Sequence, residues 1–452
     1  MITTPPTHPL TSAALVAMLD DARQRTLELT QDLPVQRHLG PKLSTVNPPQ
    51  WEIGHVGYFH DYFVLHRLYG LPKHQIPQAP ALYDSMGVAH DDRWALDLPS
   101  MDDTYAYLAK VRDVMVSHLP DGLSDSATSY VWQLATFHED MHGEAFAYTR
   151  QTLADPKPVI APPAGGLATV ETGGNGETGG LDGEVLVPGG EHTLGADETV
   201  PFRFDNEKVG LTQTFEPFAI DRTPVTNAAF AAFVQAGGYQ NPAYWSDAGW
   251  AWREAQGLDA PIYWRGGSSG WQVRVFDQWA ALAPNLPVSH VSQHEANAYC
   301  RWAGRRLPTE LEWEVAASRQ VNGVDKAGGQ TLSPHKRLYP WGDSAEGAAL
   351  ANTDGYRVGC VDVAAFTAGD SALGCRQMLG NVWEWTSSPF APYPGFKADL
   401  YAEYSEPWFT DGRFVLRGGS WATRSRYLNN NTRNFFPPGR NDIIAGFRTC
   451  AL

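Results

Sequence analysis

The sequence predicts a multidomain α and α+β chain, in which a four-helix bundle precedes an irregular domain of short strands and turns. Three observations carry this. Apolar residues recur at helical spacing through the first third of the chain. A stretch rich in Pro, Gly, Thr and Glu then interrupts it. Beyond that, short apolar runs alternate with Gly/Pro turns and scattered aromatic residues. At 452 residues the chain also exceeds what one hydrophobic core usually serves.

The elements follow in order. Ser12 is the expected cap of a first helix, AALVAMLDDARQRTLELTQDL. The second, WEIGHVGYFHDYFVLHRLYG, stops at Gly70, shortly before Pro72. MDDTYAYLAKVRDVMVSHL and SYVWQLATFHEDMHGEAFAYTRQTLA supply a third and a fourth. Helices of this length suit an up-and-down bundle, inside which facing side chains can build a metal site. The expected boundaries are 1–154 for the bundle, 155–183 for a linker and 184–452 for the second domain. In the latter, TNAAFAAFVQAG and SQHEANAYCRWAG read as helices, and no internal repeat is visible.

Composition narrows the function. A formal net charge of −16 argues against nucleic acid or an anionic membrane surface as partner, since both repel an acidic protein. The N-terminus has no signal-peptide pattern and no apolar run reaches membrane-spanning length. Cys300, Cys360, Cys375 and Cys450 form no CxxC pair, so neither a disulfide framework nor a zinc knuckle is expected, and a reducing cytoplasm fits.

The strongest local signal is the run from His138 to Glu144, HEDMHGE. Histidines at i and i+4 share one helix face, close enough for both imidazoles to meet one cation. Glu144 is placed better to orient an imidazole than to bind the ion. The third imidazole must come from another helix, and His55, set among apolar residues, is the best candidate, with His60 and His66 in reserve. A single buried histidine is more often just hydrogen-bonded within a core, and helical HxxxH pairs also arise by chance. Three neutral imidazoles with open positions suit Fe(II) and catalytic Zn(II) alike.

Together these residues resemble a known family, the non-heme iron sulfoxide synthases of ergothioneine biosynthesis and their relatives that make ovothiol or selenoneine. The resemblance covers nearly the whole chain. WEIGHVGYF and HEDMHGE resemble the metal motifs of its DinB-type bundle. RFDNE, PFAIDRTPVTNAAFAAFVQAGGY, APIYW, PVSHVSQHEANAYCRWAGRRLPTELEWEVAA, YPWG, LGNVWEWTSSPF, YPGF, VLRGGSW and TRNFFPPGR resemble the formylglycine-generating-enzyme fold, which is C-type-lectin-like.

The resemblance implies Fe(II) on His55, His138 and His142, and Tyr401, with Tyr404 nearby, as the donor of a proton or hydrogen atom to reduced oxygen. It implies a histidine-betaine (hercynine) pocket at Asn434, where Trp421 and Phe435 can offer aromatic faces to a trimethylammonium group. Structural Ca(II) near Asn381 and Glu384 is also allowed by the fold.

Departures concern the other substrate. Actinobacterial members grip γ-glutamylcysteine with paired arginines after a LYD phrase, and with a C-terminal aspartate and arginine. Here those positions read His90 and Arg93, then Phe436 and Arg440, and Met141 replaces a glutamine of the metal motif. Losing a permanent cation and gaining an apolar ring disfavours a dianionic peptide. FHEDMHGEAF and NDIIAGFRTC look more like the selenoneine-synthase branch, which joins a selenosugar to hercynine.

The expectation is an O2-dependent enzyme forming a C–Se or C–S bond at C2 of the hercynine imidazole. Alternatives are a sulfoxide synthase using cysteine or γ-glutamylcysteine, a Zn(II)-dependent thiol transferase, and a non-catalytic binding module. Copper-dependent formylglycine generation needs a cysteine pair after RGGSW, and ATRSRYLNNNTRN contains none.

Overall fold

The computed structural model describes residues 9–123, 125–163, 181, 183–208, 210–267, 270–324, 329–344 and 350–452. They form two compact units: Met1–Ala161 with Glu198–Phe202, and Pro162–Asp197 with Arg203–Leu452. Most of the expected linker, 164–180 and 182, lies outside the described residues.

The first unit is the bundle: α1 (Ser12–Thr30), α2 (Pro49–His60), a short α3 (Ala79–Tyr83), α4 (Met101–His118) and α5 (Ser126–Thr152). Thr11 rather than Ser12 caps α1, its hydroxyl accepting the Ala14 N–H. Asp125 caps α5 in the same way, through the N–H groups of Ala127 and Thr128. α2 runs on into wide π-helical turns over Asp61–Leu68. The buried Asp61 carboxylate sits there, accepting from the Gln75 N–H and the Tyr107 hydroxyl.

α1 is locked to α5 by buried polar contacts. Arg23 grips Glu139 at 2.8 and 3.2 Å, and Thr26 donates to the same carboxylate. Arg150 donates to the Leu29 carbonyl and, beyond the helix, to that of Pro156. Arg37 pairs with Asp155, so the chain just past α5 stays with the bundle. Phe202 stacks on Tyr130 and meets Phe137 edge-on, which explains why its segment groups here.

The second unit has small two-stranded ladders, β1 (Glu184–Val187) with β4 (Phe218–Asp221) and β2 (Gly190–Thr193) with β3 (Thr212–Phe215). A meander follows: β5 (Trp264–Gly267), β6 (Gly270–Val275) and β7 (Gln278–Ala281). β8 (Val321–Val324) pairs with β9 (Gln330–Leu332). The main sheet runs β12 (Asn434–Phe436), β11 (Phe414–Arg417), β10 (Trp383–Pro389), β13 (Ala445–Gly446).

Both expected helices are present, α6 (Asn227–Gln235) and α8 (Gln293–Ala303). Two more accompany them, α7 (Asp247–Gln256) and α9 (Glu310–Ser318). Trp313 and Trp385 anchor the core without exposure. All four cysteines are free thiols. No helix among the described residues is long and apolar enough to cross a membrane.

Candidate metal centre

α2 contributes His55, and one turn of α5 contributes His138 and His142. Each offers a ligand atom within 4.8 Å of the other two. The His138 and His142 Nε2 atoms are 3.3 Å apart. Ring centroids lie 5.1 Å apart for His55 and His138, and 5.0 Å for His55 and His142. Among the described residues this is the group with such convergence.

The tautomers follow from the outward nitrogens. His55 Nδ1 donates to the Tyr83 carbonyl at 2.8 Å, and His142 Nδ1 to Glu52 Oε1 at 2.6 Å. Each ring nitrogen so committed carries the proton, which leaves the Nε2 lone pair facing inward. Inward lone pairs this close repel one another unless a cation lies between them. The residues therefore fit a metal ion.

Burial keeps His55 and His138 neutral. Loss of hydration, and then the electrostatic influence of the neighbouring His142 ring, holds His55 down at about 3, and the same causes hold His138 well below the usual histidine range. Aromatic rings close the shell: Phe59 stacks on His138 at 3.6 Å, and Trp51 lies parallel to His55 at 5.1 Å.

The reserves do not join. His60 donates to the Val56 carbonyl and approaches Glu139 at 3.8 Å. His66 donates to the Leu71 carbonyl and packs on His74. Glu144 was expected to orient an imidazole, but the carboxylate on His142 is Glu52. Sequence reasoning passed over Glu52, although a carboxylate inside the apolar run WEIGHV was a signal that it needs a buried partner.

Of the donor-site candidates in this unit, His90 Nε2 donates to the Val46 carbonyl at 2.9 Å. Arg93 is buried, donating to Asn47 Oδ1 and to the Ser85 and Val88 carbonyls, with its guanidinium 3.8 Å above Trp51.

In the second unit Tyr401 is half-buried at the start of the 3-10 turn Ala402–Tyr404, its ring 6.0 Å from that of Tyr404. Tyr404 packs on Phe204 and Phe435, and burial lifts its hydroxyl well above the usual tyrosine range. Trp421 is buried, its backbone N–H donating to the Asn381 carbonyl. Asn434 and Phe436 lie half-buried on β12. Phe435 between them is a core ring, stacked on Phe390 at 3.9 Å. Arg440 pairs with Asp442 at 2.6 and 2.8 Å and covers the Phe436 ring at 4.9 Å.

The calcium expectation meets a different arrangement. Glu384 is neutralised by Arg448 through two 2.7 Å bonds and accepts the Trp313 indole N–H. Asn381 Oδ1 accepts from Asn352 and from the Val361 N–H, and its amide donates to Gln377 and the Val361 carbonyl. Protein groups hold both side chains in the roles a calcium ion would need.

Comparison with known proteins agrees with this architecture. Residues 18–146 match the DinB superfamily, and residues 171–451 match the sulfatase-modifying factor enzyme 1-like domain. The chain is 38% identical over 447 residues to the hercynine oxygenase of Mycolicibacterium thermoresistibile, covering 96% of this chain and 94% of that protein. It is 37% identical over 440 residues to that of Mycolicibacterium smegmatis, covering 94% and 96%. The formylglycine-generating enzyme of Streptomyces coelicolor is 33% identical over 294 residues, covering 60% of this chain and 88% of its own.

Proposed function

Since the chain belongs to the hercynine oxygenase family, we propose that it is a non-heme Fe(II) oxidoreductase that uses O2 to join a selenium or sulfur donor to C2 of the hercynine imidazole. The observation that carries this reading is the inward convergence of three imidazoles. Fe(II) held by His55, His138 and His142 would activate O2 and the chalcogen donor side by side.

The chain's own residues do the rest. Trp51 and Phe59 keep water from the ligand rings and fix their planes. Tyr401 is assigned as the acid that supplies a proton as oxygen is reduced. Asn434 and Trp421 are assigned to hercynine, with Phe435 behind them.

For the donor, a neutral selenosugar is favoured over γ-glutamylcysteine or cysteine. Arg440 already has Asp442, Arg93 has three oxygen acceptors and His90 has the Val46 carbonyl. A peptide carboxylate would have to displace these internal partners.

The test is a donor comparison with iron-loaded protein, hercynine, O2 and one of cysteine, γ-glutamylcysteine, a thiosugar or a selenosugar, read by mass spectrometry. The selenosugar product is expected to dominate. Efficient coupling with peptide thiols alone would overturn the donor assignment. The same three imidazoles also suit Zn(II), and thiol transfer without oxygen consumption would favour that second reading.

A further inference from the structure

We propose that Glu52 is a positioning residue of the metal centre, whose carboxylate accepts the Nδ1–H hydrogen bond of His142 and makes that imidazole the strongest donor of the three. This rests on the metal-binding reading above. The 2.6 Å distance is that of a charge-assisted hydrogen bond. Glu52 is 2% exposed, and a carboxylate that dry requires a partner. Arg93 acts on Glu52 through charge, while its hydrogen bonds go to Asn47, Ser85 and Val88, and among the described residues it is His142 that donates to Glu52.

The three ligands are therefore not equivalent. His55 is backed by a neutral carbonyl, whereas His142 is backed by a full negative charge. A carboxylate behind an imidazole fixes its tautomer and raises its basicity toward a metal. It also places a negative charge beside a buried dication, within the same dry shell.

The helix geometry makes this economical. Glu52 and His55 are three residues apart on α2 and share a face. One face of α2 thus presents a ligand and the partner of a ligand belonging to α5. Glu144, two residues beyond His142 on α5, does not share the face of that ring.

The test measures Co(II) affinity by chelator competition for the full-length wild type, E52Q, E52A and H142A, together with the Co(II) absorption bands. Gln keeps the acceptor and the size but removes the charge, so E52Q is expected to bind about tenfold more weakly with shifted bands. E52A is expected to lose up to about 100-fold. The metal-free thermal midpoint of E52Q should match wild type, separating a metal effect from a folding one. If E52A does not fold, E52Q decides alone. Wild-type affinity and bands in E52Q, with loss in H142A, would overturn the proposal while leaving the metal site intact. Wild-type affinity in H142A would overturn both.

Discussion

Gly54 lies so close beneath Tyr83 that a Cβ added to it would fall inside the tyrosine ring's van der Waals surface. The next residue is His55, whose Nδ1 donates to the Tyr83 carbonyl. Gly57 repeats the arrangement one turn on, where a Cβ would meet Leu108 at 2.8 Å and Tyr107 at 2.9 Å. The ligand helix therefore presses on α3 and α4 through glycine, and the close approach is what brings the carbonyl to the imidazole. Gly54→Ala must displace Tyr83, at roughly 1–3 kcal/mol. The thermal midpoint and Co(II) affinity are expected to fall together. An alanine variant with both unchanged would contradict this packing.

Arg440 gives a sharper view of the donor site. Its guanidinium is paired twice with Asp442, which is 2% exposed. Arg440→Ala leaves that carboxylate buried without its cation, which costs roughly 1–3 kcal/mol after allowing for the arginine's partial exposure. The expected result is a lower unfolding midpoint, with the KM for a neutral sugar donor within a few-fold of wild type. A tenfold rise in that KM without loss of stability would assign Arg440 to the donor instead.

Which features were legible in the sequence follows from how local their causes are. The four bundle helices and the His138–His142 pair are set by spacing within one element, and both are present. α9 also had a local signal, the reciprocal cap between Thr309 and Glu312, which a search for apolar periodicity passes over. α7 buries only Gly249 fully and leaves Trp250 and Trp252 half-buried, although Ser246 and Gly257 bracket it. The π-helical turns answer to Gln75 and Tyr107, partners 14 and 46 residues away from Asp61. Glu52 and Tyr83 are of the same kind, because their roles exist only once α2 packs on α5 and α3. Arg440 was legible as a retained cation, whereas its neutralisation by Asp442 was not.

Glu384 and Arg448 bear on calcium. Arg448 has no exposure and its guanidinium grips both Glu384 oxygens. Glu384→Gln removes the charge that balances a buried guanidinium and should destabilise the second unit by about 3–5 kcal/mol. Excess EGTA is expected to leave the wild-type unfolding transition where it was. A clear EGTA-induced drop, reversed by Ca(II), would restore a structural calcium.

The two units should respond in opposite senses to mild acid. In the metal-free bundle, burial first of all lowers His60 to about 4 and His55 to about 3, from an ordinary 6.5. Below pH 6.5 the unfolded chain takes up protons that the folded bundle refuses, so stability falls as pH falls, by up to roughly 1.4 kcal/mol per unit for each group. Burial of Asp61 raises its carboxyl and offsets part of this. In the second unit burial raises Glu207 to about 8 and Glu295 to about 7, from 4.5. There the folded state holds protons that the unfolded chain has released, so lowering the pH from 8 toward 4.5 adds stability. Asp205, raised to about 6, and Asp221, also raised by burial, act with them, whereas His192, His290 (lowered to about 4) and His294 oppose them. Hydrogen exchange on metal-free protein at pH 7.5 and 5.5, corrected for intrinsic rates, should show protection lost in α2 and α5 while β10 and β11 keep or gain it. Equal losses in both units would mean that the buried carboxyls of the second unit are ionised in the folded state.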